Sequence, residues 1–283
     1  MSAIVCIHGI GQQLKGEDFL LREWVPAIRD GVRRAGEAPP DPKQISMAFY
    51  GHLFRKREGK SFGIPPYDET DIVHEWEKNL LAEWWSEAAR VDEELAGPAD
   101  PTKLRTPRVV QRALNALSHS RFFAGIAMEL FIADLKQVYS YFHDDGIRTD
   151  AQRAIELVMT DESRVIVAHS LGTVVAYEAL CAHPEWPIRT LVTLGSPLGI
   201  RNLVFQRLRP PPIESVGAWP RVLVSWVNIA DSGDLVALEK KLSSCFGGRI
   251  VDHVVHNGAT AHDACAYLTA KETGAAIVSG LDD

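Results

Sequence analysis

A chain of 283 residues with 46% hydrophobic side chains has enough apolar material for one large domain, which excludes disorder as a description of the whole. Thirty Lys and Arg against 37 Asp and Glu leave a formal charge of −7, and no basic stripe interleaved with aromatics is present, so nucleic acid is not expected as the main partner. Four cysteines, Cys6, Cys181, Cys245 and Cys265, stand singly with no Cys-x-x-Cys spacing, which is the pattern of a reduced, cytoplasmic protein with no metal site.

In chain order, the first expected strand, 3–7, follows directly on Met1-Ser2 and leaves no room for a charged, apolar and cleavable leader. After it come a helical stretch near 17–35 and a strand at 45–50. From Gly51 to about Asp145 the alternation of strand and helix breaks. Ile72, Val73, Trp76, Leu80, Leu81, Trp84 and Trp85 recur there as one helical face, and Pro98, Pro101 and Pro107 precede a second helical stretch from about Val109 to Phe142. The most apolar part, Phe122 to Leu135, carries Glu129 and Asp134 and is too short to cross a bilayer. This interval is expected to be an inserted helical cap.

Beyond it the alternation resumes, with strands expected at 164–168, 188–194, 221–229 and 249–255 and helices near 149–160, 171–183 and 263–280. An excursion at 197–220 contains Pro210-Pro211-Pro212 and reads as a loop over the sheet edge or a pocket. Short apolar runs alternating with helices predict an α/β fold: a mostly parallel sheet with helices on both faces, its core formed by 1–50 and 146–283 and its cap by 51–145.

The strongest chemical signal is Val165-Ile166-Val167-Ala168-His169-Ser170-Leu171-Gly172-Thr173, a buried strand entering a helix through a serine with small residues two before and two after it. A serine on so sharp a turn brings the flanking backbones together, and Ala168 and Gly172 are bare enough to permit it. The helix also points backbone N–H groups at any charge developing beside Ser170. The competing description is an ordinary strand–helix turn with a capping serine.

A serine hydroxyl needs a base to take its proton and a carboxylate to hold that base. Ligand groups in such sheets sit beyond the carboxyl ends of the strands, which favours loops after 221–229 and 249–255. Asp231 and Asp234 both qualify as the acid. Asp234 is preferred because Leu235-Val236 can anchor it, which leaves Asp231 a turn role. Among ten histidines, His262 sits where a Gly-containing loop meets the last helix; His256 is the fallback, and His253 lies within a strand. The loop His8-Gly9-Ile10-Gly11 supplies Ile10 N–H, which with Leu171 N–H forms the expected oxyanion hole, while His8 holds the loop. Dinucleotide binding by the same glycines is disfavoured, because position 14 is Leu14 and the strand at 45–50 ends in Phe49-Tyr50 rather than an acid.

Ile7 to Gly11, Ala168 to Gly172, Leu194-Gly195-Ser196-Pro197, Asp231 to Val236 and His262, in the order Ser, Asp, His, resemble the α/β-hydrolase superfamily, particularly its lipase and serine-esterase branches. The resemblance covers 1–50 and about 146–283. It departs at Ala168, where the usual pattern has glycine, and in starting at the oxyanion strand, which implies a minimal core. It implies hydrolysis of a small or lipid-like carboxylic ester, or of a thioester or amide, by Ser170, His262 and Asp234 through an acyl-serine, with no cofactor and no metal. Trp76, Trp84, Trp85 and the stretch from Phe122-Phe123 to Phe131 would roof an apolar acyl pocket. An imidazole base implies activity falling as pH drops through roughly 6.5, the unperturbed histidine value. The alternative is a catalytically silent module of the same fold that binds a small molecule or protein. A membrane-surface role for Arg55-Lys56-Arg57 and Lys60 is weaker, since so short a charge run is ordinarily a solvated face.

Overall fold

The structure is a computed structural model, and it describes residues 2–55, 65–98, 106–120 and 127–282. Pro101, Phe122, Phe123, Lys56, Arg57 and Lys60, singled out above, lie outside the described residues. Among the described residues six strands form one sheet: β1 (Ile4–Ile7), β2 (Ile45–Ala48), β3 (Val165–His169), β4 (Thr190–Leu194), β5 (Ser225–Asp231) and β6 (Val251–Val255). Their order is β2-β1-β3-β4-β5-β6, and every pairing is parallel.

Side chains alternate across each strand, and the alternation sorts the core into two layers. Ile4, Cys6, Val165, Val167, Val192, Leu194, Val227 and Ile229 face one side, where they meet α1 (Glu17–Arg34), α7 (Ala264–Leu268) and α8 (Lys271–Asp282). Val5, Ile7, Ile166, Ala168, Leu191 and Trp226 face the other side, beneath α6 (Leu171–Ala182) and the helices inserted between β2 and β3. Both faces are covered, so β1 and β4 read as unbroken apolar or threonine-bearing runs rather than alternating ones, and β3 does so up to His169.

The insertion comprises α2 (Glu75–Val91), α3 (Pro107–His119), α4 (Met128–His143) and α5 (Asp145–Glu156). A buried ionic cluster bolts it to the core. Glu178 on α6 accepts from the Tyr141 hydroxyl at 2.8 Å, Arg148 Nε at 2.8 Å, Gln152 Nε2 at 3.2 Å and Arg209 N at 3.1 Å, so a charge that would be costly alone is fully partnered. Trp76 Nε1 donates to Leu203 O at 3.1 Å, and the loop it reaches buries Leu198, Ile200, Phe205 and Leu208 in the same core. That loop is therefore packed structure rather than a free cover.

Several elements differ from the sequence expectation: β5 runs Ser225–Asp231 rather than 221–229, and α5 runs Asp145–Glu156 rather than near 149–160. β2 stops at Ala48, because Tyr50 turns its N–H to His8 Nε2 at 3.1 Å instead of extending the ladder. The expected helix 263–280 is two helices, with Thr269–Ala270 between them, and the Thr273 hydroxyl staples the break by donating to Tyr267 O at 2.7 Å. No helix among the described residues is long and apolar enough to cross a membrane.

β1 and β3 are neighbours, yet the chain leaves β1 towards the α1 face and β3 towards the α6 face. Where adjacent connections part in this way, a crevice opens at the carboxyl ends of the strands.

Candidate active site

Ser170 stands at that crevice, between the last residue of β3 and the first of α6, with φ 54° and ψ −131°. A non-glycine residue in this region costs of order 1–3 kcal/mol and persists only where its surroundings enforce it. Ser170 N donates to Leu194 O at 3.0 Å, while Ser170 O accepts from Thr173 N at 2.9 Å and from the Thr173 hydroxyl at 2.7 Å. The bend presses α6 against the end of β1: a Cβ at Gly172 would lie 2.4 Å from His8 O and 2.6 Å from Ile7 O. That approach is the steric reason for a bare residue two places after the serine.

Ser170 Oγ lies 3.0 Å from His262 Nε2, and His262 Nδ1 lies 2.7 Å from Asp234 Oδ2. An ionised carboxylate only accepts, so Nδ1 carries the ring proton and Nε2 presents a lone pair to the serine hydroxyl. Asp234 is fully buried. Burial alone would push its carboxyl up, but the charge and hydrogen bond of His262, the Tyr267 hydroxyl at 2.7 Å and Val236 N at 2.8 Å hold it down at about 2. It remains an anion facing the imidazole throughout the neutral range.

The structure brings together Ser170, His262 and Asp234 and separates the alternatives. Asp231 accepts from Gly233 N at 2.7 Å and from Asn257 N, which ties the loop after β5 to the loop after β6. His256 is exposed and borders an open groove of about 420 Å³ with Arg34, Asn257 and Glu272, and His253 is half-buried within β6.

His8 Nδ1–H donates to Gly9 O at 2.6 Å and its Nε2 accepts from Tyr50 N, while the Tyr50 hydroxyl donates to His8 O at 2.6 Å. Burial holds the His8 ring down at about 4, so it is neutral and serves as a brace for the loop after β1. In that loop Gly11 N is engaged, donating to Gln137 Oε1 at 3.1 Å. Ile10 N–H and Leu171 N–H donate to no group among the described residues, and Gly9 packs directly on Ser170. Two free donors therefore flank the serine.

Four contributors escaped the sequence reasoning. Tyr267 donates to Asp234 and accepts from Asp231 N at 2.7 Å, linking the two aspartates. His169, held neutral at about 3 first by burial and then by His262, donates from Nε2 to His262 O at 3.0 Å and fixes the loop that carries that ring. Gly195, at the end of β4 with φ +55°, leaves room for Asp234 and His262 to meet above it. Asp134, on α4, faces the loop after β1. Of these, Gly195 and His169 lay within motifs the sequence had marked, Leu194-Gly195-Ser196-Pro197 and Ala168-His169-Ser170-Leu171-Gly172. The others have no short-range signal.

Trp76, Trp84 and Trp85 are buried in packing: Trp76 against Phe142 at 5.8 Å and Tyr139 at 6.1 Å, Trp84 edge-on to Phe131 at 5.5 Å, and Trp85 through a 2.9 Å bond to Ala96 O. Their role is the interior of the insertion. No group of three or more His, Cys, Asp or Glu side chains suited to a metal ion occurs among the described residues. No known family model matches the chain, and no curated protein matches it.

Proposed function

We propose that this protein is a serine hydrolase of the α/β-hydrolase type that cleaves a carboxylic ester through an acyl-serine intermediate. The observation that carries this reading is the continuous line from Asp234 through His262 to a conformationally strained Ser170, at 2.7 Å and 3.0 Å. A capping serine in an ordinary turn needs neither the strain nor an oriented imidazole.

In this mechanism His262 Nε2 takes the Ser170 proton as Oγ attacks the acyl carbonyl, and Asp234 steadies the imidazolium without accepting the proton itself. Ile10 N–H and Leu171 N–H meet the oxyanion; one such donor is typically worth roughly a hundred- to a thousand-fold in rate. His262 then passes the proton to the leaving alcohol. In the second half a water, deprotonated by the same nitrogen, releases the acid and restores Ser170. Thioesters and amides fit the same groups. The four cysteines, all free, support residence in a reducing compartment such as the cytoplasm.

A fluorophosphonate probe tests the reading. Labelling of the wild type and not of a folded Ser170→Ala variant is the expected result. A folded wild type that stays unlabelled would favour a silent binding module of the same fold.

A further inference from the structure

The Gly9–Gly11 loop is approached from the insertion by α4, which presents two polar side chains one helical turn apart. Gln137 is fully used: its Oε1 accepts from Gly11 N at 3.1 Å and its Nε2 donates to Gln13 Oε1 at 3.1 Å. Asp134 lies on the same face. A Cβ built on Gly11 would stand 3.3 Å from Asp134 Oδ1 and 3.6 Å from Oδ2, so the carboxyl rests against the loop that flanks Ser170. It is half-buried, it is close enough to His262 to feel its charge, and it has no hydrogen-bond or ion-pair partner among the described residues.

We propose, on the premise that the site is the hydrolase described above, that Asp134 determines specificity by accepting a hydrogen bond from a hydroxyl or ammonium group that the substrate carries near its scissile carbonyl. A half-buried carboxyl keeps only part of its hydration, so a donor arriving with a ligand restores bonding that the surrounding chain does not supply. Here the neighbouring backbone donor, Gly11 N, is already taken by Gln137, and the missing donor is supplied by whatever occupies the crevice. Burial, opposed by His262, pushes the Asp134 carboxyl up to about 7, as expected for a group awaiting its partner. The insertion thus contributes a polar selector beside the serine, whereas its tryptophans are spent on packing.

The test uses matched esters that differ at one group. In the acyl series, p-nitrophenyl β-hydroxybutyrate is compared with the isovalerate. In the alcohol series, butyrate esters of ethylene glycol and dimethylethanolamine are compared with those of propanol and isoamyl alcohol. The wild type is expected to favour the donor-bearing ester by about tenfold or more in kcat/KM in at least one series, the scale of a hydrogen bond to a charged or strongly polar acceptor. Asp134→Leu should collapse that ratio towards unity. Asp134→Asn keeps a neutral acceptor, so it should retain the hydroxyl preference and lose the ammonium preference; it also decides the amine pair alone if the leucine variant fails to fold. Fluorophosphonate labelling of Ser170 is run alongside. Labelled, folded proteins whose ester ratios are the same in wild type and variants overturn the role of Asp134 and leave the hydrolase reading standing. A wild type that neither labels nor hydrolyses any ester overturns both.

Discussion

Gly195→Ala probes the proposed chemistry without removing any group that takes part in it. β4 lies between β3, which carries Ser170, and β5, which carries Asp234, so the carboxylate and the imidazole must meet above the end of β4. A methyl at Gly195 would sit 2.7 Å from Asp234 Oδ2 and 3.0 Å from His262 Nδ1. Ordinary contact begins at 3.4 Å, so the carboxylate oxygen must retreat by 3.4 − 2.7 = 0.7 Å. Directed along the hydrogen bond, that retreat stretches 2.7 Å to 3.4 Å, beyond the range of a good N–H···O contact. Misplacement on this scale costs on the order of a hundredfold in rate, and complete loss of the orienting acid about ten-thousandfold. The variant is therefore expected to lose between about 10² and 10⁴ in kcat and in the rate of fluorophosphonate labelling. Alanine at φ +55° adds a stability cost of about 1–2 kcal/mol, a fall of a few degrees in Tm that leaves the protein folded at room temperature. Thermal melting followed by single-turnover labelling separates the two effects. A folded Gly195→Ala protein that labels and turns over at the wild-type rate would refute the argument that the Asp234–His262 contact matters.

Tyr267→Phe removes one of the bonds that keep Asp234 ionised and strands the buried Asp231 N–H. The expected cost is about 1–3 kcal/mol in unfolding free energy and roughly a tenfold loss in kcat, and an unchanged kcat would reduce Tyr267 to a packing residue. For Asp134 the sign runs opposite to that of a paired carboxylate. Its folded value of about 7 lies above the ordinary 3.8, so the native state holds a proton the unfolded chain gives up between those limits, and stability is lost as pH rises through them. At about 1.4 kcal/mol per pH unit the ceiling is ~4 kcal/mol, and partial exposure reduces it to about 1–2. Asp134→Asn should therefore melt a few degrees above wild type near pH 8 and level with it near pH 4; an offset independent of pH would contradict the assignment.

Much of the architecture was legible because it is written in short-range periodicity. Buried strands such as Ile4-Val5-Cys6-Ile7 declare themselves by continuous apolar character, and α2 by tryptophans and leucines at helical spacing. The sharp turn at Ser170 was legible for a steric reason: Gly172 has to clear His8 O, and so local a demand leaves a local trace. The break at Thr269–Ala270 was not, since no proline or glycine stands at it and its staple is a side-chain bond from Thr273 back to Tyr267 O that only the folded geometry shows.

What the sequence by itself determined is which residue types stand at the carboxyl ends of which strands, and hence that a serine, an acid and an imidazole could converge. What only the tertiary structure decided is which of them meet. Asp234 rather than Asp231, and His262 rather than His256, follow from the parallel register of β3, β4 and β5 and from a turn in which Asp231 is spent holding Asn257. Tyr267, His169 and Asp134 reach the site from α7, β3 and α4, segments brought together by the sheet order and the crossover helices. Contacts between loops so far apart in sequence are set by the order of strands and by what must pack between them, and that is a property of the folded whole with no counterpart in any one segment.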